Sequence, residues 1–253
     1  MKKSYTLNSQ LKEKLDSKKN RKRKLSSQMW LTRQINDIYV KSAKAEGYYS
    51  RSAYKLLEIN NKFHILKPSM KVIDAGAAPG GWSQVVANII FNKENSHKED
   101  AKSQLMETAK LVKETQLVEK AQLIAVDLLP IKPVTKAEFI QGDFTDPAVL
   151  EQIKVALKGA KADVILSDMA PNTTGIQSLD HLKIMALVEI VFQLAVKVLA
   201  KNGAMVVKVF QGGATNTILQ QIKQKFKVVK HYKPPASRTK STEIYLIATG
   251  FKG

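Results

Sequence analysis

The stretch Val72-Ile73-Asp74-Ala75-Gly76-Ala77-Ala78-Pro79-Gly80-Gly81-Trp82 decides the fold. Val72 and Ile73 are β-branched and read as the end of a buried strand. A turn of Gly, Ala and Pro follows. From Trp82 to Phe91 apolar residues recur at helical spacing, which predicts a helix. Strand, small-residue turn and helix form the opening unit of an open α/β sheet of the nucleotide-binding kind. Small residues let backbone approach a ligand closely, and glycine tolerates the positive φ that such a turn needs. The spacing Asp74-x-Gly76-x-Ala78-x-Gly80 departs from the dinucleotide fingerprint G-x-G-x-x-G. Pro79 also removes an N–H that a phosphate cradle would use.

The chain has 253 residues, enough for one well-packed domain with an extension. Its formal net charge is +19, more than solubility requires, and favours a polyanionic partner, nucleic acid first. No run of apolar residues is long enough for a membrane span, and the first residues lack the apolar core of a secretory signal. A cytoplasmic protein with no membrane partner is expected. The absence of cysteine excludes disulfides, a thiolate nucleophile and Cys-type zinc sites. His64, His97, His181 and His231 show no metal-ligand spacing, so no metal is expected.

Residues 1–24 hold ten Lys/Arg against Glu13 and Asp16. Lys18 to Lys24 has nothing apolar to bury and reads as a flexible basic arm that gains order on nucleic acid. The arm is drawn over 1–27 and the domain over 28–253. Tyr48 to Ile59 reads as a helix capped by Ser50, with Tyr54, Leu57 and Ile59 inward. Arg51 and Lys55, four apart, share a face; an exposed basic face is an equal reading.

The next strand of such a unit should come after about 20 residues and end in an acid that binds ribose hydroxyls. Leu123-Ile124-Ala125-Val126-Asp127 comes later, with Asp127 46 positions after Gly81. A polar insertion at about 92–120, carrying one amphipathic helix, accounts for the excess. Asp127 falls in the ribose-binding place. Glu138 to Phe144 is a short strand ending in a turn, where Asp143 is either a turn former or an acceptor for an adenine amino group.

Ala162 to Ser167 suits a central parallel strand, with Asp168 just past its carboxyl end, where open α/β sheets place ligands. A long helix from Leu179 to Leu199 ends near Asn202-Gly203. Lys208 then interrupts the apolar run Ala204 to Phe210. A buried unpaired lysine is costly, and Asp168 on the neighbouring strand is its obvious partner. Strands at Phe226–Tyr232 and Glu243–Thr249 flank a Pro-rich basic linker, 233–242, read as a surface loop facing an anionic partner. Glu243 at a strand start is ordinarily just solvated.

The first turn also fits the D/E-x-G-x-G-x-G pattern of S-adenosylmethionine (SAM) methyltransferases, with Ala in the middle glycine place. Taken with segments 74–84, 126–130, 141–144, 167–172, 206–211 and 241–250, the sequence resembles the RrmJ/FtsJ family of ribosomal RNA large-subunit methyltransferases E. The resemblance covers roughly residues 28–253. It implies a Rossmann-like SAM-dependent fold: seven strands, mostly parallel, the last antiparallel, helices on both faces. It implies 2′-O-methylation of a uridine ribose in the aminoacyl-tRNA loop of the assembled large ribosomal subunit. A Lys-Asp-Lys-Glu tetrad falls on Lys55, Asp168, Lys208 and Glu243. Cofactor contacts fall on Gly80, Trp82, Asp127, Asp143 and Asp168. Neither the insertion nor the basic arm touches a motif. Nothing signals an oligomer, so a monomer is expected.

The chemistry is coherent with that implication. A ribose hydroxyl is a poor nucleophile at neutral pH. Lys208 beside Asp168 could take its proton or stabilise the developing alkoxide, and the sequence leaves both roles open. Three other reactions fit less well. The glycine spacing and mid-strand Lys208 disfavour a nicotinamide dehydrogenase, the lack of cysteine a cytosine-C5 methyltransferase, and Asp168-Met-Ala-Pro171, without an aromatic clamp, an amino-methylating enzyme. Two alternatives stay open: a tRNA-directed relative, and a basic RNA-binding assembly factor with little activity.

Overall fold

The computed structural model describes residues 37–92, 120–211 and 216–253. The basic arm and the body of the insertion lie outside these residues. By its contacts the chain divides into 1–42 and 43–253. The elements run α1 (Ile38–Ala45), α2 (Ala53–Phe63), β1 (Lys71–Ala75), α3 (Gly81–Ile90), β2 (Gln122–Asp127), β3 (Ala137–Gln141), α4 (Pro147–Ala156), β4 (Ala162–Ser167), α5 (Gln177–Val198), β5 (Leu199–Phe210), α6 (Asn216–Lys225), β6 (Phe226–Tyr232) and β7 (Glu243–Phe251).

The seven strands form one sheet in the order β3-β2-β1-β4-β5-β7-β6. The β1–β2, β1–β4, β2–β3 and β4–β5 pairs are parallel, whereas β7 runs antiparallel to both β5 and β6. The order reverses between β1 and β4, so a crevice opens at their carboxyl ends. Alternate residues of each strand face opposite sides. Ile73, Ile124, Val207 and Leu246 pack with α4, α5 and α6; Val72, Leu123, Val206 and Tyr245 pack with α2 and α3. Both faces are thus covered, which is why β1, β2 and β4 read as nearly continuous apolar runs.

Several local expectations change. Helix α2 starts at Ala53, with Ser52 at the cap position and no side-chain capping bond; Ser50 Oγ instead hydrogen-bonds Ser52 Oγ. Its buried residues are Ala53, Lys55, Leu56 and Ile59, while Tyr54 and Leu57 are half-buried. The helix turns its lysine inward, where the half-buried Glu243 carboxylate receives it. Helices α4 and α6 were not anticipated, although Asp146 caps α4 by accepting from Ala148 N–H and Pro147 opens it. The linker 233–242 is not simply a surface loop: Pro234, Ala236 and Ser237 are buried.

Candidate active site

Lys208 lies near the carboxyl end of β5 and is 6% exposed. Register pairs Ser167 of β4 with Val207, so Asp168 emerges beside Lys208. Lys208 Nζ donates to Asp168 Oδ1 at 2.7 Å and to the Asp168 carbonyl at 2.6 Å. Glu243 opens β7, and its Oε2 is 3.8 Å from Lys208 Nζ. Lys55, in the first turn of α2 and 6% exposed, donates to Glu243 Oε1 and stands 3.9 Å from Asp168 Oδ1. Three distant chain segments and the end of β4 thereby bring two lysines and two carboxylates together. All four tetrad residues suggested by the resemblance meet here. The open reading of Arg51 and Lys55 resolves differently for each: Lys55 is buried in the cluster, and Arg51 Nη2 donates to the Ala236 carbonyl at 2.5 Å.

A fifth residue completes the cluster. Tyr245 pairs with Lys208 across β5 and β7 and is fully buried. Its hydroxyl lies 2.5 Å from Asp168 Oδ1, to which it donates, and 3.1 Å from Glu243 Oε1. Its ring packs against Trp82, with centroids 5.6 Å apart, and Lys55 Nζ lies 5.9 Å from its centroid. The sequence reading gave Tyr245 no role. Its position two residues after Glu243, on the same strand face, was the available signal.

Burial alone would raise the Asp168 carboxyl, but Lys208 and Lys55 outweigh it and hold it below the usual carboxylate range. Glu243 follows the same balance: burial raises it, and the two lysines bring it below its ordinary value. Tyr245 is pushed well above the ordinary phenol range, first by burial and then by the two carboxylates. It therefore stays a hydrogen-bond donor.

The residues that the resemblance gives to the cofactor lie in the β1–α3 turn, at the start of α3 and at the carboxyl ends of β2, β3 and β4. Asp127 ends β2; its Oδ2 accepts from Ala78 N–H and its Oδ1 from Leu129 N–H, both at 2.8 Å. Asp143 follows β3 and accepts from the Thr145 N–H and hydroxyl through Oδ1, the turn-forming role. Trp82 is buried at the start of α3 and donates Nε1–H to the Ser52 carbonyl. Gly80 caps α3 with φ 106°.

The glycines of the turn make room chiefly for protein. A Cβ on Gly76 would fall 2.0 Å from Met169 Cγ, and one on Gly81 would fall 2.4 Å from Ser50 Oγ. Gly76 thus admits the segment that carries Asp168.

Beneath the turn lies Asp74, fully buried on β1. Its Oδ2 accepts from Ser83 Oγ at 2.6 Å, and its Oδ1 has no hydrogen-bond partner among the described residues. Burial pushes its carboxyl up to about 7; the Ser83 bond opposes this, and Asp168 and Asp127 add to it.

The end of the linker is fixed to α2. Arg51 holds the Ala236 carbonyl, and Glu58 Oε2 accepts from the Ala236 N–H at 2.7 Å. Ser237 Oγ donates to Glu243 Oε1 at 3.3 Å. No helix among the described residues is long and apolar enough to cross a membrane, and these residues include no group of three or more His, Asp or Glu able to hold a metal.

Comparison with known proteins agrees with this architecture. The chain is 44% identical over 235 residues to Ribosomal RNA large subunit methyltransferase E of Rickettsia felis, covering 93% of each chain. It is 47% identical over 236 residues to the protein of that name from Azorhizobium caulinodans, covering 93% of this chain and 88% of that one. A solved structure from Plasmodium falciparum, assigned as a ribosomal RNA methyltransferase, superposes with a TM-score of 0.64 at 29% identity. It covers 81% of this chain and 100% of that one. The profile of the FtsJ-like methyltransferase family matches residues 48–251, and the chain belongs to that family.

Proposed function

We propose that this protein transfers a methyl group from SAM to the ribose 2′-hydroxyl of a uridine in large-subunit ribosomal RNA, within the aminoacyl-tRNA loop of the assembled subunit. The observation that carries the reading is the Lys55–Asp168–Lys208–Glu243 cluster at the carboxyl end of the central strands. The relatives' names support the RNA and its subunit; the resemblance supports the loop and the 2′ oxygen.

The residues fit SAM as donor. When bound, SAM supplies an electrophilic methyl on a sulfonium cation. Asp127 and Asp168 stand at the carboxyl ends of β2 and β4, beside the crevice, where acidic side chains suit a cation. Asp127, fixed by two backbone N–H groups, retains lone pairs for ribose hydroxyls. Asp74 Oδ1 is a buried acceptor that has no partner among the described residues.

Lys208 has three N–H donors, and two are used on Asp168. The third is left for the 2′ oxygen. The lysine charge then favours the negative charge that develops there as the new bond forms, an effect of roughly a hundredfold to a thousandfold when the donor is preorganised. Glu243 Oε1 is taken by Lys55 and Ser237, which leaves Oε2 to accept the hydrogen bond of the 2′ hydroxyl and, as the methyl is transferred, its proton. Lys55 and Tyr245 hold the two carboxylates in place.

The test is methyl transfer from labelled SAM to unmodified large subunits, free ribosomal RNA and tRNA, with Lys208→Ala alongside. Label on a uridine ribose of the large subunit, absent with the variant, is expected. Label on tRNA alone would move the substrate to another RNA. SAM binding without transfer to any acceptor would favour the assembly-factor reading.

A further inference from the structure

Tyr49 precedes α2 and takes no part in the cluster just described. Its backbone N–H donates to Gln84 Oε1 at 2.7 Å, and Gln84 Nε2 donates to the Gly47 carbonyl at 2.9 Å. These two bonds stitch the segment to α3. The Tyr49 ring stands over the glycine turn: a Cβ on Gly80 would lie 3.1 Å from ring atom Cδ2 and 3.5 Å from Val134 Cγ2. The hydroxyl reaches further and donates to the Pro133 carbonyl at 2.6 Å. Lys132 Nζ sits 5.2 Å from the ring centroid, within cation–π range.

Pro133 belongs to the loop that leaves β2 immediately after Asp127. That loop is open to solvent, with Leu128 and Leu129 both exposed. Tyr49 therefore joins three pieces of chain: the turn after β1, the loop after Asp127, and the lead-in to the helix that carries Lys55. A ligand seated on Asp127 beside the turn would lie next to this junction.

We propose that Tyr49 is a clasp for the methyl donor, a positioning residue that holds the loop 128–134 closed beside Asp127. This rests on the reading of SAM as the donor. The Tyr49–Pro133 bond has to open for the donor to leave, so the clasp acts on the dissociation rate and leaves the chemical step alone. Its ring fills the space above Gly80, and its hydroxyl supplies the latch.

The experiment compares wild type with Tyr49→Phe, which keeps the ring and loses the latch. SAM affinity is measured by calorimetry, and its dissociation rate by trapping with excess unlabelled SAM. Amide hydrogen exchange of residues 128–134 is followed in the ligand-free proteins. The expected result is dissociation faster by about fivefold to tenfold, the size of one net hydrogen bond. KM for SAM should rise with kcat unchanged, and exchange in 128–134 should quicken. Equal dissociation rates and equal exchange would overturn the clasp while leaving the donor reading intact. A fall in kcat with SAM affinity unchanged would overturn it too, by placing Tyr49 on the chemical step. Wild type that binds no SAM would remove the donor reading and the clasp with it.

Discussion

The Tyr245 hydroxyl donates to Asp168 Oδ1 at 2.5 Å, and this bond ties β7 to the end of β4 across the intervening strand β5. The same oxygen is 3.1 Å from Glu243, so one neutral phenol stands between two carboxylates. The bond helps keep Asp168 ionised, after the larger effects of Lys208 and Lys55. Tyr245→Phe should therefore raise the Asp168 carboxyl and shift the acid limb of the kcat profile to higher pH. A loss of about tenfold in kcat is expected, with little change in KM for SAM. A pH–rate profile that superposes on wild type would remove this role.

Lys208→Ala should abolish methyl transfer, by at least about a hundredfold, while leaving SAM affinity nearly intact. The substitution takes away the cation closest to Asp168, whose remaining lysine stands at 3.9 Å. Labelled transfer and calorimetry on the same preparation separate the two effects. Near-normal turnover would sink the assignment.

Asp74 gives the protein an unusual response to pH. Its carboxyl is raised to about 7 in the fold, mainly by burial. Between the unfolded value and 7 the folded state holds a proton that the unfolded chain has lost. This contribution is fully present below about pH 4, falls by roughly 1.4 kcal/mol per unit as pH rises, and levels off above 7. Asp168 and Glu243, held below their ordinary values, act in the opposite sense: their contribution is present above the unfolded value and is lost as pH falls. Asp74→Asn should remove the first effect alone. Urea midpoints of the variant should then fall less than wild type between pH 5 and 7, and parallel curves would refute the account.

Gly76→Ala tests what the turn is for. The added Cβ would meet Met169 at 2.0 Å, on a backbone with φ 79°. The segment carrying Asp168 must shift, so the melting temperature and kcat should fall together. An active variant of unchanged stability would show that Met169 yields easily.

The order of elements was legible because the parallel strands are buried on both faces and announce themselves as apolar runs. Lys208 was legible for the same reason: a charge inside such a run needs a partner, and Asp168 was the one within reach. Lys55 and Glu243 were not legible from residues alone. Both look solvated in sequence, and only the resemblance singled them out, since their burial is created by partners about 190 residues apart in the chain. The buried centre of the linker misled because composition cannot show that Arg51 and Glu58 grip both polar groups of Ala236. The glycine turn misled differently: small residues signal a close approach, without saying whether a ligand or Met169 makes it.

The strand that comes last of the seven does not lie at the rim of the sheet. β7 is inserted between β5 and β6, and it delivers Glu243 and Tyr245. Until β7 is in place, β5 and β6 have no strand between them, and the cluster lacks Glu243 and Tyr245. The meeting of two lysines and two carboxylates is therefore completed by the last strand in the chain, not by the central parallel ones.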